Sequence, residues 1–498
     1  MAKYLYGASV QGIQDFIFMT NKLREIVGAS EIVKEICDDM FFEVSGIDRD
    51  SDNLILAAAG NIKCIFEENQ REKLEIVVKY FPKMVMEYAP GITISQAVIK
   101  FERETSQALK ELEIALKVQR NISSMPLETG YMALNRARKT GGIYFKNGDE
   151  ESTVKKSDKS DQIGMFKDLS GFNEIKSGEL SFEMNHITDT GNNKWLAVVH
   201  ADGNGLGNII QNIGNRLTDE NKFHKFSQAI DSSTKAALQI AFKEVILKDK
   251  GEYEKGKKSE SYRYPIRPVL IGGDDVTLII RADLALDFTT LFLKKFEEIS
   301  KIKFAEFNFS ELNYGLSACA GIAYIKESYP LHYALHLAED LTKDAKKMVK
   351  KEGMPKSGGN RSQMPLSSIA FHKVQDSFVE NLEQMKKRTK FAEASKIDYD
   401  YGPYLIQKSE SNPNIPYIGE LNEKLKVLDC HKTDKSKGVS KLRQLVTESF
   451  NSRDKMDFMK NRMKTVNEKF LNKLSESDII REGNKSILLD LIQIHSFK

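Results

Sequence analysis

Cysteine is scarce in this 498-residue chain, which has only Cys37, Cys64, Cys319 and Cys430. These residues are far apart and form no CxxC pair, so the sequence predicts no structural zinc site. Sparse, unpaired cysteines suit a reducing cytoplasm, where we expect the protein to act. The chain also lacks an apolar run of about 20 residues, and its first residues, MAKYLYGASV, lack the apolar core of a signal peptide. We therefore expect no membrane-spanning segment.

Neither sign of charge is in excess. The 74 Lys and Arg residues nearly balance the 71 Asp and Glu residues, which leaves a formal net charge of +3. This balance does not demand a nucleic-acid partner. The length allows roughly two to four domains with ample core.

An acidic turn lies between two apolar runs in the segment Arg267–Ile280, RPVLIGGDDVTLII. The pattern predicts a tight β-hairpin, with Gly272 and Gly273 where the chain turns and Asp274 and Asp275 at the tip. Adjacent carboxylates repel each other at neutral pH unless a cation lies between them, which favours a Mg²⁺ site. Gly-Gly-Asp-Asp is also good turn chemistry, so a turn without a metal is the alternative.

A second acidic turn lies upstream in the segment Lys194–Gly207, KWLAVVHADGNGLG. The apolar run Trp195–Val199 predicts a strand that leads to Asp202, and a helical pattern begins near Leu206. Asp202 could bind a cation, while the turn before the helix could present main-chain groups to phosphate oxygens. That turn consists of Gly203, Asn204 and Gly205. An ordinary strand-to-helix turn that happens to contain Asp is the alternative.

The order of the predicted elements around both turns is β-α-β-β-α-β, which is typical of an antiparallel sheet backed by helices. In such a fold, the end of the first strand and the tip of the hairpin can lie side by side. Asp202, Asp274 and Asp275 are then expected to converge and to bind two Mg²⁺ or Mn²⁺ ions. This arrangement suits two-metal phosphoryl transfer, so these three residues are the predicted catalytic residues.

These motifs resemble the palm domain of the CRISPR polymerase/cyclase subunit, the large subunit of type III effector complexes. The resemblance includes the ADGNGLG turn, the GGDD hairpin, the helix AEDLTKDAKK at Ala338–Lys347 and the strand SSIAFHKV at Ser367–Val374. More distantly, the chain resembles GGDEF diguanylate cyclases. A diguanylate cyclase is less expected, because no Phe follows Asp275 and no Arg-x-x-Asp motif stands just before the hairpin.

The resemblance implies a nucleotidyltransferase that converts ATP into a cyclic or linear oligonucleotide second messenger for antiviral defence. In related cyclases a lysine at the position of Lys346 reaches the triphosphate; a solvated helix lysine is the alternative. The implied partners are other CRISPR effector subunits and guide or target RNA. The predicted nucleotide-binding set is Gly203, Asn204, Gly205, Gly272, Gly273 and Lys346.

The N-terminal part resembles a first copy of the same unit, opening with a strand at Tyr4–Ser9 and the run VQGIQDFIF. Where the second copy has Gly-Gly-Asp-Asp, the first has Ala58-Ala59-Gly60-Asn61 and therefore no carboxylate for a metal. We predict an α+β protein with two ferredoxin-like palm domains and a helical C-terminal domain. The predicted boundaries are 1–125 for the first palm, 126–193 for a connecting region, 194–375 for the catalytic palm and 376–498 for the helical domain.

Four other segments carry expectations. Residues 130–193, with ESTVKKSDKSD at Glu151–Asp161, have little periodicity and predict a connection with flexible parts. Lys248–Arg263 and Lys351–Gln363 read as loops, and Asp398–Ile406 as a segment that packs back on the palm. The family often begins with an HD nuclease domain; no His-Asp dipeptide occurs here, so we expect no such DNase activity.

Two other functions remain open from the sequence. The protein could be a non-catalytic scaffold or RNA-binding subunit of an RNA-guided complex, with its palms as interaction surfaces. It could also be a stand-alone defence cyclase that senses something other than guide-bound RNA. Retention of all three carboxylates favours an enzyme, because an unused acidic cluster is destabilising.

Overall fold

A computed structural model gives the fold. The residues that it describes are 2–49, 51, 53–58, 60–102, 105–122, 133–138, 140–206, 209, 220–256, 262–309, 312–352, 366–375, 381–409, 413–430, 438–466 and 484–497. The predicted loop at Lys351–Gln363 lies mostly outside them, as does most of the helix expected after Leu206.

The described strands, β1 to β14 in chain order, are Lys3–Gln11, Leu54–Ala58, Asn61–Glu67, Thr93–Phe101, Tyr144–Lys146, Asp149–Glu150, Trp195–Gly203, Ile266–Gly272, Asp275–Arg281, Ala318–Lys326, Ser368–Lys373, Phe391–Ala392, Ile397–Asp398 and Tyr404–Leu405. The described α-helices, α1 to α17, are Ile13–Phe18, Leu23–Glu35, Phe41–Ser45, Arg71–Tyr88, Thr105–Arg120, Glu151–Asp158, Gly164–Ser170, Met184–Thr188, Glu220–Ala241, Leu247–Lys255, Ala282–Phe304, Leu331–Glu352, Leu382–Lys390, Ile418–Cys430, Gly438–Asn451, Arg453–Val466 and Leu488–His495.

The described residues form two compact units, each made of several chain segments. The first comprises Met1–Ile187, Gly205–Ile279 and Lys295–Leu316. The second comprises Thr188–Asn204, Ile280–Lys294 and Ser317–Lys498.

The N-terminal sheet has four strands in the order β2-β3-β1-β4. β1 lies in the centre and is antiparallel to both β3 and β4, with Lys3 opposite Glu67 and Phe101. Its residues Leu5–Val10 are buried, as suits a central strand, whereas β4 is mostly half-buried. Helices α4 and α5 follow β3 and β4, so the predicted β-α-β-β-α-β order of the first palm is confirmed.

The described part of the connecting region has more regular structure than its composition indicates. Residues 151–161 form helix α6 and a 3₁₀ turn that pack on α2. The approach is so close that a Cβ added to Gly28 would lie 1.7 Å from the Lys156 carbonyl oxygen. Lys156 is only 1% exposed; its ammonium donates to the Phe16 carbonyl (2.6 Å) and lies 3.8 Å from the Phe16 ring centroid.

The charged segment after residue 247 also differs from its prediction. Leu247–Lys255 forms helix α10 rather than a loop, and residues 257–261 of the predicted loop lie outside the described ranges. Lys250 helps to hold this helix in place, because its ammonium pairs with Glu179 at 2.8 Å and lies 5.0 Å from the Tyr264 ring centroid.

The second sheet has six strands in the order β14-β11-β10-β7-β9-β8. β10 is antiparallel to β7 and parallel to β11, because helix α12 carries the chain back across the sheet between β10 and β11. β14 pairs antiparallel with β11, with Ser368 opposite Leu405. The prediction that Asp398–Ile406 packs back on the palm is thereby confirmed.

The described residues after β11 are mainly helical, in agreement with the helical spacing of their apolar residues. The last helix, α17, ends at His495, and Phe497 then stacks on Tyr324 of β10, with ring centroids 4.4 Å apart. None of the helices in the described ranges is long and apolar enough to cross a bilayer.

Candidate functional site

Asp202 lies at the end of a buried strand. Residues 196–199 of β7 are buried, and the pairing of β7 with β10 places Cys319 opposite Asp202 and Ala318 opposite Gly203. The Asp202 side chain is 37% exposed, so its carboxylate can reach solvent or a ligand. A partly exposed aspartate therefore lies at the end of an apolar strand, as the sequence predicts.

Helix α12 lies unusually close to the sheet. A Cβ added to Gly321 of β10 would lie 2.0 Å from the carbonyl oxygen of Ala338 and 2.7 Å from the amide nitrogen of Thr342. Only glycine permits this approach, since a strand glycine allows another backbone to come near. The Thr342 hydroxyl lies 3.0 Å from the His200 carbonyl oxygen, which links α12 to β7.

One helical turn after Thr342, Lys346 reaches the end of β7. Its ammonium forms an ion pair with the Asp202 carboxylate and donates to the Gly203 carbonyl oxygen at 2.7 Å. The spacing along the helix matches the spacing along the strand. The four helix residues from Thr342 to Lys346 rise about 6 Å, and the two strand residues from His200 to Asp202 rise about 6.6 Å. The structure thus brings together three predicted residues, Asp202, Gly203 and Lys346.

The surroundings keep His200 uncharged at neutral pH. Burial is the main cause that lowers the pKa of His200 to about 4; Asp202 opposes this shift and Lys346 adds to it. The Lys346 ammonium is therefore the cation that the structure places on Asp202.

Asn204 is a structural residue of this turn. It is 3% exposed, its main-chain N–H donates to the Ser317 carbonyl oxygen at 2.8 Å, and its side-chain amide donates to the Ser317 hydroxyl at 3.0 Å. The main-chain N–H of Asn204 is thus satisfied within the protein. Gly205 has a φ of +65°, and a Cβ there would meet no atom of the described residues within 4 Å.

The predicted hairpin is confirmed. β8 ends at Gly272, β9 begins at Asp275, and Gly273 has a φ of +60°, which glycine adopts without strain. The buried Thr234 of α9 donates its hydroxyl to the Gly273 carbonyl oxygen at 2.6 Å. A helix distant in sequence therefore fixes the turn that carries Asp274.

A mainly apolar cavity of about 210 Å³ borders this turn within the first unit. All four turn residues, 272–275, line it, together with Asn61 and Lys63 of the N-terminal hairpin. Its apolar lining consists of Ile55, Leu56, Leu109, Leu206, Phe226 and Ile230. The hairpin of the first palm, which has no acidic tip, thus forms one wall of a cavity at the acidic tip of the second.

A more polar cavity of about 320 Å³ touches the same hairpin at Gly272. Four of its charged residues form ion pairs: Lys34 with Asp168 at 2.5 Å, and Lys235 with Asp231 at 2.8 Å.

The predicted metal site is not confirmed. Among the described residues, which include Asp202, Asp274 and Asp275, no group of three or more His, Cys, Asp or Glu side chains could hold a metal ion. Carboxylates have the right chemistry for Mg²⁺ or Mn²⁺. Lys346 pairs with Asp202 in this structure.

Sequence reasoning missed Thr342, Ser317 and Gly321, which hold the site in shape. Two signals for them were available. Thr342 and Lys346 share one face of a helix at i, i+4 spacing, and a glycine inside an apolar strand pattern indicates close backbone approach. Nothing local to Ser317 predicts that it binds Asn204.

Residues 195–354 match the family described as Cas10/Cmr2, second palm domain. The matched segment contains β7, the acidic hairpin, β10 and α12, which are the elements described above. The chain thus carries a palm domain of the Cas10/Cmr2 type, and the resemblance to the large subunit of type III CRISPR complexes is confirmed. No curated protein matches the sequence significantly.

Several solved structures are similar. A chain of the Csm1–Csm4 cassette in complex with cA4 aligns with a TM-score of 0.47 and 14% identity, over 99% of this chain and 70% of that chain. The apo cassette gives the same values. The cassette in complex with one ATP aligns with a TM-score of 0.42 and 14% identity, over 87% of this chain and 63% of that chain.

Proposed function

We propose that the protein is a nucleotidyltransferase of the CRISPR palm type that joins ATP molecules into cyclic or linear oligonucleotides. The observation that carries the proposal is the combination of the Lys346–Asp202 pair at the end of β7 with an acidic hairpin whose turn borders a cavity. Asp202 lies on β7, and Asp275 begins β9. The choice of ATP follows the family resemblance.

In this proposal the cavity beside Gly272–Asp275 holds the nucleoside. Its apolar side chains suit a base, while Asn61 and Lys63 are the polar groups within reach on the opposite wall. Lys63 pairs with Glu113 at 2.5 Å, so its ammonium is already oriented by a carboxylate. The first palm then has a binding role and no catalytic role, in line with its Ala-Ala-Gly-Asn tip.

The other residues act on the phosphates. Lys346 neutralises triphosphate charge, and the turn at Gly205, where a Cβ would meet no described atom within 4 Å, gives the phosphates room. Asp202, Asp274 and Asp275 are the proposed ligands of divalent cations, which when bound would supply activation of the attacking hydroxyl and charge neutralisation. Asn204 keeps the turn in shape through Ser317.

The reaction forms a bond between a ribose hydroxyl oxygen of one ATP and the α-phosphorus of another. The bond between the α-phosphorus and the bridging oxygen breaks, pyrophosphate leaves with the electron pair, and the hydroxyl proton passes to solvent. We further propose that other CRISPR effector subunits and guide-bound target RNA control this activity.

The test is incubation with each of the four ribonucleoside triphosphates plus Mg²⁺ or Mn²⁺, followed by mass spectrometry of the products. Asp274→Asn/Asp275→Asn should lower product formation at least about a hundredfold, because it removes the charge that holds the cations. Asp454→Asn/Asp457→Asn is the matched control, since it removes two exposed carboxylates from α16.

The assay is repeated with partner subunits and target RNA. If no triphosphate is consumed under any of these conditions, or if the hairpin variant matches the control, the enzymatic proposal fails. A scaffold role would then be the remaining explanation.

A further inference from the structure

A group of positively charged side chains lies at the end of the second sheet that is opposite to Asp202. Lys326 ends β10 and lies across from Trp195, which begins β7. Lys373 ends the neighbouring strand β11. Asp202 follows Trp195 by seven residues on β7, which is about 24 Å along the strand. This group is therefore separate from the candidate site at Asp202.

The ammonium of Lys373 lies beside two aromatic rings. It is 4.4 Å from the ring centroid of Trp195 and 4.7 Å from that of Phe497, and it donates to the Ser496 hydroxyl at 2.5 Å. The ammonium of Lys326 lies 5.7 Å from the same Trp195 centroid. The two ammonium groups are thus no more than about 10 Å apart, since both are attracted to one indole ring.

Arg443 of α15 adds a third positive charge. Burial is the main cause that lowers the pKa of Lys373 to about 8, and Arg443 and Lys326 add to the shift. In the part of the chain that the structure describes, no carboxylate forms an ion pair with any of these three residues. Glu327, the residue after Lys326, pairs with Lys194 instead, at 3.6 Å. Lys326, Lys373 and Arg443, the basic patch, therefore carry charge without a paired acid.

We propose that the basic patch binds phosphate groups of a single-stranded nucleic acid. The planar guanidinium of Arg443 and the ammonium groups of the two lysines both suit phosphate oxygens. Lys326 and Arg443 are exposed and Lys373 is half-buried, so a ligand can reach all three. Sites for single strands combine cations with aromatic side chains, and the half-buried Trp195 supplies the ring here. This binding goes beyond the proposed enzymatic activity and does not depend on it.

The test is a titration of fluorescently labelled oligouridine RNA with the full chain, followed by fluorescence anisotropy. Each phosphate contact to a single strand contributes about −0.7 to the slope of log affinity against log salt, so three contacts predict a slope of about −2. The affinity should therefore fall about twentyfold when KCl is raised fourfold, from about 50 to about 200 mM.

The double variant Lys326→Gln/Arg443→Gln leaves one cation in the basic patch. Its affinity at low salt should be at least about tenfold weaker, and the same rise in KCl should weaken it only about threefold. Arg71→Gln/Lys83→Gln is the matched control, because these side chains are 62% and 68% exposed and each pairs with a glutamate one helical turn later. The control makes the same change in net charge but should keep the wild-type affinity within about twofold. Thermal melts verify that both variants fold.

Trp195 gives an independent readout, since it is the only tryptophan of the chain. Unlabelled RNA should change its fluorescence with the same Kd that anisotropy gives, because a strand on the basic patch alters the charges around the indole.

Three results would overturn the proposal: no RNA binding at low salt, binding that leaves Trp195 fluorescence unchanged, or a folded Lys326→Gln/Arg443→Gln variant that binds like the control. Displacement of the RNA by polyglutamate of equal charge would also overturn it, because the basic patch would then fit an acidic protein. None of these measurements uses turnover, so a failure of the proposed enzymatic activity would be seen separately.

Discussion

Substituting Gly321 with Ala tests whether close packing of α12 builds the site. The added Cβ would lie 2.0 Å from the Ala338 carbonyl oxygen, whereas ordinary contact begins at 3.4 Å, so helix and strand must separate by about 1.4 Å. The Ala338 carbonyl oxygen and the Thr342 amide nitrogen both belong to the backbone and cannot move aside as a flexible side chain would. Overpacking of this kind therefore costs about 1–3 kcal/mol of folding stability. The same displacement withdraws Lys346 from Asp202.

Fluorescence of Trp195, the only tryptophan of the chain, can follow urea unfolding of this sheet, because Trp195 begins β7. Gly251→Ala is the control, since a Cβ there meets no atom within 4 Å and alanine favours a helix by about 1 kcal/mol. We expect Gly321→Ala to lower the unfolding midpoint and Gly251→Ala to leave it unchanged or raise it. Equal midpoints for Gly321→Ala and the wild type would refute the packing argument.

Three further predictions concern stability. Gly28→Ala should destabilise the first unit by about 3 kcal/mol or more, measured by urea unfolding, because its Cβ would lie 1.7 Å from the Lys156 carbonyl oxygen, which belongs to the backbone. Phe497→Ala should cost about 3–5 kcal/mol in the same assay, because the buried ring stacks on Tyr324; a loss below about 1 kcal/mol would contradict that role. Burial lowers the folded-state pKa of His200 to about 4 from an ordinary value near 6.5. The unfolded chain therefore binds a proton at this residue first as the pH falls. The stability that neutral His200 contributes is complete above pH 6.5 and is lost as the pH falls towards 4. Unfolding series across this range should show a smaller pH dependence for His200→Gln than for the wild type.

Local chemistry in the sequence determined much of this protein. The turn at Gly273 follows from a glycine that adopts positive φ between two apolar runs. Such features depend on residues close in the chain, so periodicity and turn chemistry suffice to predict them. The acidic hairpin and the strand that ends near Asp202 were predictable for the same reason, whereas the two-copy organisation was inferred with the help of the family resemblance.

Contacts between distant residues were decided only by the tertiary structure. Lys346 meets Asp202 across 144 positions, and Lys156 is buried against Phe16 across 140, in a segment that reads as flexible from its composition. Asn204 donates its N–H to Ser317 rather than leaving it for a phosphate. In each case the partner of a polar group is set by how strands and helices pack, which no local pattern records.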